Sequence, residues 1–133
     1  MTSQQLLYYA IVAVVALFIL RPLLFGGPRI SPPAADAKVK AGEAVLIDVR
    51  EPSEWTSGVA KPAALLPLSD LRGGRKQWAG FLQKNRGKTL ILYCASGMRS
   101  GTAAGMLKKE GFTVFNLGGF GRWANAGLPT RRP

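Results

Sequence analysis

The chain has no histidine among its 133 residues and a single cysteine, Cys94. Without histidine there is no imidazole to serve as a general base or as a metal ligand. With one cysteine there is no internal disulfide and no internal dithiol cycle, so any redox cycle or sulfur relay needs a second molecule. A reactive, reduced cysteine of this kind suits a reducing compartment. Acidic side chains are scarce too: 7 Asp and Glu stand against 18 Lys and Arg, for a formal net charge of +11. The basic residues, among them Arg72, Lys84, Lys108 and Arg131, are spread along the chain. No nucleic-acid motif accompanies them, and aromatics do not interleave with them, so nucleic acid is not the expected partner. The positive field favours small anions and an anionic lipid surface. No internal repeat is visible.

Charge is absent altogether from residues 6–20, and Leu23, Leu24 and Phe25 extend the apolar run past Arg21 and Pro22. A membrane span needs roughly 20 such residues. Residues 6–25 supply them if Arg21 carries its charge to the interface, where Tyr8 and Tyr9 at the other end also fit. A secretory signal would have a basic start and a small-residue cleavage site. Here no Lys or Arg precedes the run, and Gly26 and Gly27 lead straight into Pro28. A buried core helix is the other alternative. The reading adopted is a single transmembrane anchor over residues 1–25. Arg21, Arg29, Lys38 and Lys40 all follow the run, which puts the remainder of a single-pass protein on the cytoplasmic side.

Glycine and proline make residues 26–36 a linker. Residues 37–132 are then enough for one domain. Strand-like segments near 44–49, 64–67, 89–94 and 113–117 alternate with helical ones. This pattern predicts an α/β fold, a parallel sheet flanked by helices on both faces. A first short strand is expected at Ile30 and Ser31, with a helix over about 34–40. Residues 71–85, interrupted by Gly73, Gly74 and Gly80, read as one or two short helices.

The most informative stretch is Cys94-Ala95-Ser96-Gly97-Met98-Arg99-Ser100. It follows the apolar run Thr89-Leu90-Ile91-Leu92-Tyr93, which reads as a buried strand. It precedes a helical pattern over 101–109. A tight turn between a strand end and a helix start points backbone N–H groups inward, beside the positive end of the helix. Arg99 can close such a loop with a full positive charge. The environment stabilises a thiolate and holds a small anion against it, which describes a nucleophile for an anionic substrate. The alternative, an inert core cysteine, does not account for the Gly-x-Arg-Ser that follows.

Four residues separate Cys94 from Arg99, one fewer than in the wider phosphate loop of cysteine phosphatases. The shorter loop resembles that of rhodaneses. Other segments do as well. Leu46-Ile47-Asp48-Val49-Arg50 with Glu54 and Trp55 looks like that family's Ile-Asp-Val-Arg strand and following turn. Pro67-Leu68-Ser69-Asp70-Leu71 resembles its next strand-to-helix junction. Val114-Phe115-Asn116-Leu117-Gly118-Gly119, then Trp123 and Gly127-Leu128-Pro129, resemble its closing strand, glycine turn and last helix. The match runs from about 37 to 130 in order and spacing. The resemblance implies a rhodanese-like sheet, here preceded by one N-terminal transmembrane helix.

The resemblance also implies a sulfurtransferase that needs no metal and no cofactor. Cys94 would take a sulfane sulfur from a small anionic donor such as thiosulfate, form a persulfide, and pass the sulfur to cyanide, a thiol or a protein cysteine. The amides of Ala95, Ser96, Gly97, Met98, Arg99 and Ser100 would stabilise the charged terminal sulfur, and Arg99 would orient the donor. Ser100 would support the loop by hydrogen bonding. Asp48 and Arg50 end a strand expected beside that of Cys94. They either brace the catalytic loop or form an ion pair that holds the strand end. The family's usual histidine after the Glu-Trp turn is replaced by Val59, a change expected to alter packing over 58–64. Two other functions stay open: a non-catalytic tethered module acting as scaffold or sulfur carrier, and a phosphatase or arsenate-reductase-like enzyme, against which the short loop argues.

Overall fold

The centre of the structure is the strand that ends in Cys94. Its residues, Thr89–Cys94, are mostly apolar and carry no charge, as a strand covered on both faces requires. The computed structural model describes residues 1–25 and 27–133, with side chains for all of these except 21–25. In chain order the elements are α1 (Ser3–Phe25), α2 (Pro32–Lys40), β1 (Ala44–Asp48), α3 (Pro52–Trp55), β2 (Val59–Ala60), β3 (Ala64–Leu65), α4 (Leu68–Arg72), α5 (Trp78–Lys84), β4 (Thr89–Cys94), α6 (Met98–Lys109), β5 (Val114–Gly119), α7 (Phe120–Asn125) and β6 (Thr130–Arg131). The main sheet is parallel in the order β3-β1-β4-β5.

Alternation along β4 divides the core in two. Leu90, Leu92 and Cys94 belong to one cluster with Trp78 and Leu82 of α5 and Ala103, Ala104 and Leu107 of α6. Ile91 and Tyr93 belong to the other, with Ala35 of α2 and Trp123 of α7. Cys94 therefore lies on the side of the sheet that α6 covers. The register pairs Asp48 with Tyr93 across β1 and β4. Across β4 and β5 it runs Leu92 with Asn116, then Tyr93 with Gly118 and Cys94 with Gly119. Leu117 is thus an extra residue, a bulge at the end of β5.

Several elements differ from the sequence reading, each for a local reason. The helix expected over about 34–40 starts earlier, at Pro32, because Ser31 caps it and accepts from the Ala34 N–H at 3.4 Å, with proline at the start where its missing N–H costs nothing. Ser31 is therefore not strand. The expected strand at Ile30 and Ser31 reduces to a single parallel bridge between Arg29 and Asn116. α6 begins at Met98, not after Ser100. Residues 71–85 fall into two helices as expected, although α4 starts at Leu68. A small antiparallel pair, β2 with β6, has no counterpart in the sequence reading. Val59 lies fully buried in β2.

The linker expected over 26–36 is shorter than the sequence suggests. Gly26 lies outside the described residues, but Pro28 C=O accepts the Asn116 N–H at 2.9 Å and the Ile30 N–H reaches Asn116 C=O at 3.3 Å. Ile30 and Ala35 are buried in the second core cluster. Proline and glycine here shape an edge segment that docks on β5. By contrast, the Ser3–Leu20 stretch of α1 has a mean hydropathy of 1.9 and none of it is buried against the rest of the chain. At about 1.5 Å per residue, α1 is long enough and apolar enough to cross a hydrocarbon layer of ~30 Å. The interfacial position expected for Arg21 concerns a side chain outside the described set.

The docked edge segment is testable. Ile30→Ala should cost about 2–4 kcal/mol, the price of a truncated core side chain, in urea unfolding of the full chain in detergent micelles. A linker residue would give no change.

Candidate functional site

Cys94 ends β4 and is fully buried, while Ala95, Ser96 and Met98 of the same loop are exposed. The loop turns over the sulfur. The Gly97 N–H donates to Cys94 Sγ at 3.0 Å, and Ser100 Oγ lies 3.4 Å from it. Gly97 makes this possible by adopting φ 98°, a left-handed conformation that other residues reach only with strain. Its space is limited as well, because a Cβ there would lie 3.1 Å from Gly118 Cα. On the next residue of β5 the fit is closer: a Cβ on Gly119 would meet the Ala95 carbonyl oxygen at 2.5 Å. The two consecutive glycines thus let the end of β5 lie against the loop backbone.

Burial pushes the Cys94 thiol up. Hydrogen bonds from the Ser100 hydroxyl and from the backbone N–H groups of Ser100, Gly97 and Ser96 outweigh it, so the thiol lies below its ordinary range. The N-terminus of α6 above the sulfur acts in the same direction. Sequence reading expected amide donors over 95–100; of these the Gly97 N–H makes the hydrogen bond to the sulfur.

A residue that sequence reading did not single out holds the loop. Asn116 on β5 is buried. Its Nδ2 donates to Gly97 C=O at 3.0 Å, and its Oδ1 faces the Gly118 N–H at 3.0 Å and Ser100 Oγ at 2.8 Å. The available signal was a polar residue in the middle of an otherwise apolar closing strand, which demands buried partners.

Arg99, expected from the sequence to close the loop with its positive charge, is paired with a carboxylate. Its two terminal nitrogens donate to the Glu54 carboxylate at 2.6 and 2.8 Å. Glu54 comes from α3, where its side chain also forms a capping box with Glu51. The bonds from Arg99 hold the Glu54 carboxyl down at about 2, and Glu54 in turn raises the Arg99 guanidinium. Arg99 keeps a coulombic interaction with Cys94. Two further arginines converge on the far side of the loop. A Cβ placed on Gly118 would lie 3.2 Å from Arg29 Nη2 and 3.4 Å from Arg122 Nη1. Arg122 donates to the Leu117 carbonyl at 2.9 Å.

Asp48 and Arg50 form a buried pair at the end of β1. Arg50 Nε donates to both Asp48 oxygens at 3.1 Å, and Nη2 donates to Asp48 Oδ2 and to the Gly58 carbonyl, each at 2.8 Å. The guanidinium also stands 4.8 Å from the Phe120 ring centre and 5.9 Å from that of Tyr93. The geometry is that of an ion pair holding the strand end, linked to the loop through Tyr93. Among the described residues no group of three or more Cys, Asp or Glu side chains is placed to hold a metal ion.

The Glu54 carboxyl gives a pH-dependent signature. Its folded value of about 2 lies below the ordinary 4.5, so the ion pair's contribution is complete above that ordinary value and is lost as pH falls toward the folded one. Both side chains are about a third exposed, which limits the contribution to ~1 kcal/mol or less. The stability difference between the wild type and Glu54→Gln should therefore be constant at neutral pH and vanish in acid, as followed by urea unfolding across pH.

Comparison with known proteins agrees with this geometry. The rhodanese-like domain family matches residues 31–126. An uncharacterized protein of Bacillus subtilis (strain 168), YqhL, is 40% identical over 99 residues, covering 71% of this chain and 74% of its own length. A sulfurtransferase of Allochromatium vinosum is 33% identical over 93 residues, covering 68% of this chain and 81% of its own. The crystal structure of a rhodanese-related protein from Thermoplasma volcanium superimposes with a TM-score of 0.66 at 27% identity, covering 80% of this chain and 99% of that one. A sheet in this order, a cysteine loop on its central strand and a family match over most of the domain together make the chain a member of the rhodanese-like family, whose relatives include sulfurtransferases.

Proposed function

We propose that the protein is a membrane-anchored sulfurtransferase that carries sulfane sulfur as a persulfide on Cys94. The observation that carries this reading is the sulfur's setting: a lone cysteine receiving the Gly97 N–H at 3.0 Å in a loop with Arg99 at its rim. The name of the Allochromatium relative supports the reaction class.

In the proposed cycle the Cys94 thiolate attacks the outer sulfur of thiosulfate. A bond forms between Sγ and that sulfur, and the bond to the sulfonate sulfur breaks, its electron pair leaving with sulfite. An acceptor nucleophile (cyanide, a thiol or a protein cysteine) then attacks the outer sulfur, and Sγ leaves as thiolate. The amides of the loop stabilise the negative terminal sulfur between the two steps. Arg99 orients the donor's oxygens. Glu54 takes one N–H from each terminal nitrogen, which leaves Nε–H and one further N–H on each for the donor. Arg29 and Arg122 beside Gly118 add positive potential that draws the anion in.

α1 serves as the anchor in this reading, with the domain on the cytoplasmic face, because Arg29, Lys38 and Lys40 follow the helix. The net charge of +11 then favours apposition to anionic lipid.

The test is the intact mass of the full chain in detergent after incubation with thiosulfate and desalting. A gain of one sulfur, removed by cyanide and absent from Cys94→Ser, is expected. A folded protein that gains none with any sulfane donor sinks the enzymatic reading and leaves a silent module. Arg99→Ala should raise the half-saturating thiosulfate concentration about tenfold, the equivalent of one charge-assisted hydrogen bond at ~1.5 kcal/mol. An unchanged dependence on thiosulfate contradicts the orienting role.

A further inference from the structure

We propose that Asn116 is a positioning residue whose side-chain carbonyl competes with the Cys94 sulfur for the single proton of Ser100, so that this hydroxyl turns to the sulfur only when the sulfur is charged. The inference rests on the reading of Cys94 as the nucleophile.

The argument is a count of donors. The Gly97 carbonyl 3.0 Å from Nδ2 requires a donor, and the Gly118 N–H 3.0 Å from Oδ1 requires an acceptor. These two backbone groups fix the orientation of the Asn116 amide, so Oδ1 is the atom that faces Ser100 Oγ at 2.8 Å. Ser100 is fully buried and has one proton to donate. Two acceptors stand within reach of it, Oδ1 at 2.8 Å and Sγ at 3.4 Å. With a neutral thiol the shorter bond wins: Ser100 donates to Asn116 and offers a lone pair to the S–H. When the sulfur loses its proton the hydroxyl has reason to rotate, because a charged acceptor makes the stronger bond. The rotation orphans nothing, since Oδ1 retains the Gly118 N–H. Asn116 thus opposes ionisation through Ser100 and supports it through Gly97, whose N–H it helps hold against the sulfur.

The same device follows the charge through the proposed cycle. In the persulfide the negative charge sits on the outer sulfur, and the Ser100 proton returns to Asn116. As the acceptor removes that sulfur, charge develops on Sγ and the hydroxyl turns back to it. No proton leaves the Ser100 oxygen at any stage.

A double-mutant cycle separates this role from plain bracing. Wild type, Ser100→Ala, Asn116→Ala and the double variant are titrated as full chains in detergent by the ultraviolet absorbance of the thiolate. Cys94→Ser serves as the blank, and because Cys94 is the only cysteine the signal has one source. The charged groups around the loop, Arg99 with Glu54 and Arg29 with Arg122, are present in all four proteins and cancel. Ser100→Ala should raise the midpoint. Asn116→Ala should raise it further when residue 100 is alanine, and raise it less, or lower it, when Ser100 is present. The expected difference is at least about half a pH unit, a threefold change in thiolate fraction. Equal shifts in the two backgrounds overturn the proposal. Where Asn116→Ala does not fold, Asn116→Asp replaces it. A stronger acceptor reverses the sign, raising the midpoint more with Ser100 than with alanine, and equal shifts again overturn the idea. The titration uses no sulfur donor, so it can fail while sulfur transfer stands, and stand while transfer fails.

Discussion

The site depends on one close approach of backbone to backbone. The end of β5 lies against the loop that follows β4, with Gly97 over Gly118 and Gly119 under the Ala95 carbonyl. Any side chain on Gly119 would occupy space already filled by that oxygen. The bulge at Leu117 belongs to the same arrangement, because it shifts the register so that Gly118 and Gly119 stand opposite Tyr93 and Cys94. With the two backbones in contact, Asn116 can reach across to Gly97 and Ser100. The loop is then held from below by a strand and not left to its own turn geometry. Cys94, at the end of a buried parallel strand with a helix starting soon after it, sits at the carboxyl edge where α/β sheets place their ligands.

The electrostatics of the site are local and differ from the net charge. The chain carries a net +11, yet Arg99 in the cysteine loop is bonded through both terminal nitrogens to Glu54. The scarce carboxylates are used structurally: Glu54 orients Arg99, Asp48 neutralises the buried Arg50, and Glu110 pairs with Arg75. What lowers the Cys94 thiol is short-range donation from the Ser100 hydroxyl and the loop amides, working against burial. The wider positive surface acts at longer range, on the arrival of anions.

The N-terminal portion joins two environments within a few residues. No residue of the Ser3–Leu20 stretch is buried, whereas Pro28 and Ile30 are already bonded to Asn116. A short connection of this kind ties the edge of the sheet next to β5 directly to the apolar helix. Asn116 is therefore where the docked N-terminal segment and the cysteine loop meet, since its backbone serves one and its side chain the other.

Much of this was legible in the sequence, for a physical reason. The uncharged run ending in Cys94, the Gly-x-Arg-Ser that follows it and the alternation of strand-like and helical segments are local patterns, and local patterns set element type, the parallel sheet and the position of the cysteine at a strand end before a helix. The apolar run of α1 is legible in the same way, because composition alone decides whether a helix can sit in hydrocarbon. What the sequence could not decide were relations between distant segments. That Glu54 claims Arg99, that Asn116 divides its bonds between Gly97 and Ser100, that Arg29 and Arg122 converge on Gly118, and that residues 28–31 join the domain all depend on strand register and side-chain packing between residues far apart in the chain. Linear spacing is silent on those distances. Only the folded backbone, with β5 bulged and pressed against the loop, brings the partners to within hydrogen-bonding reach.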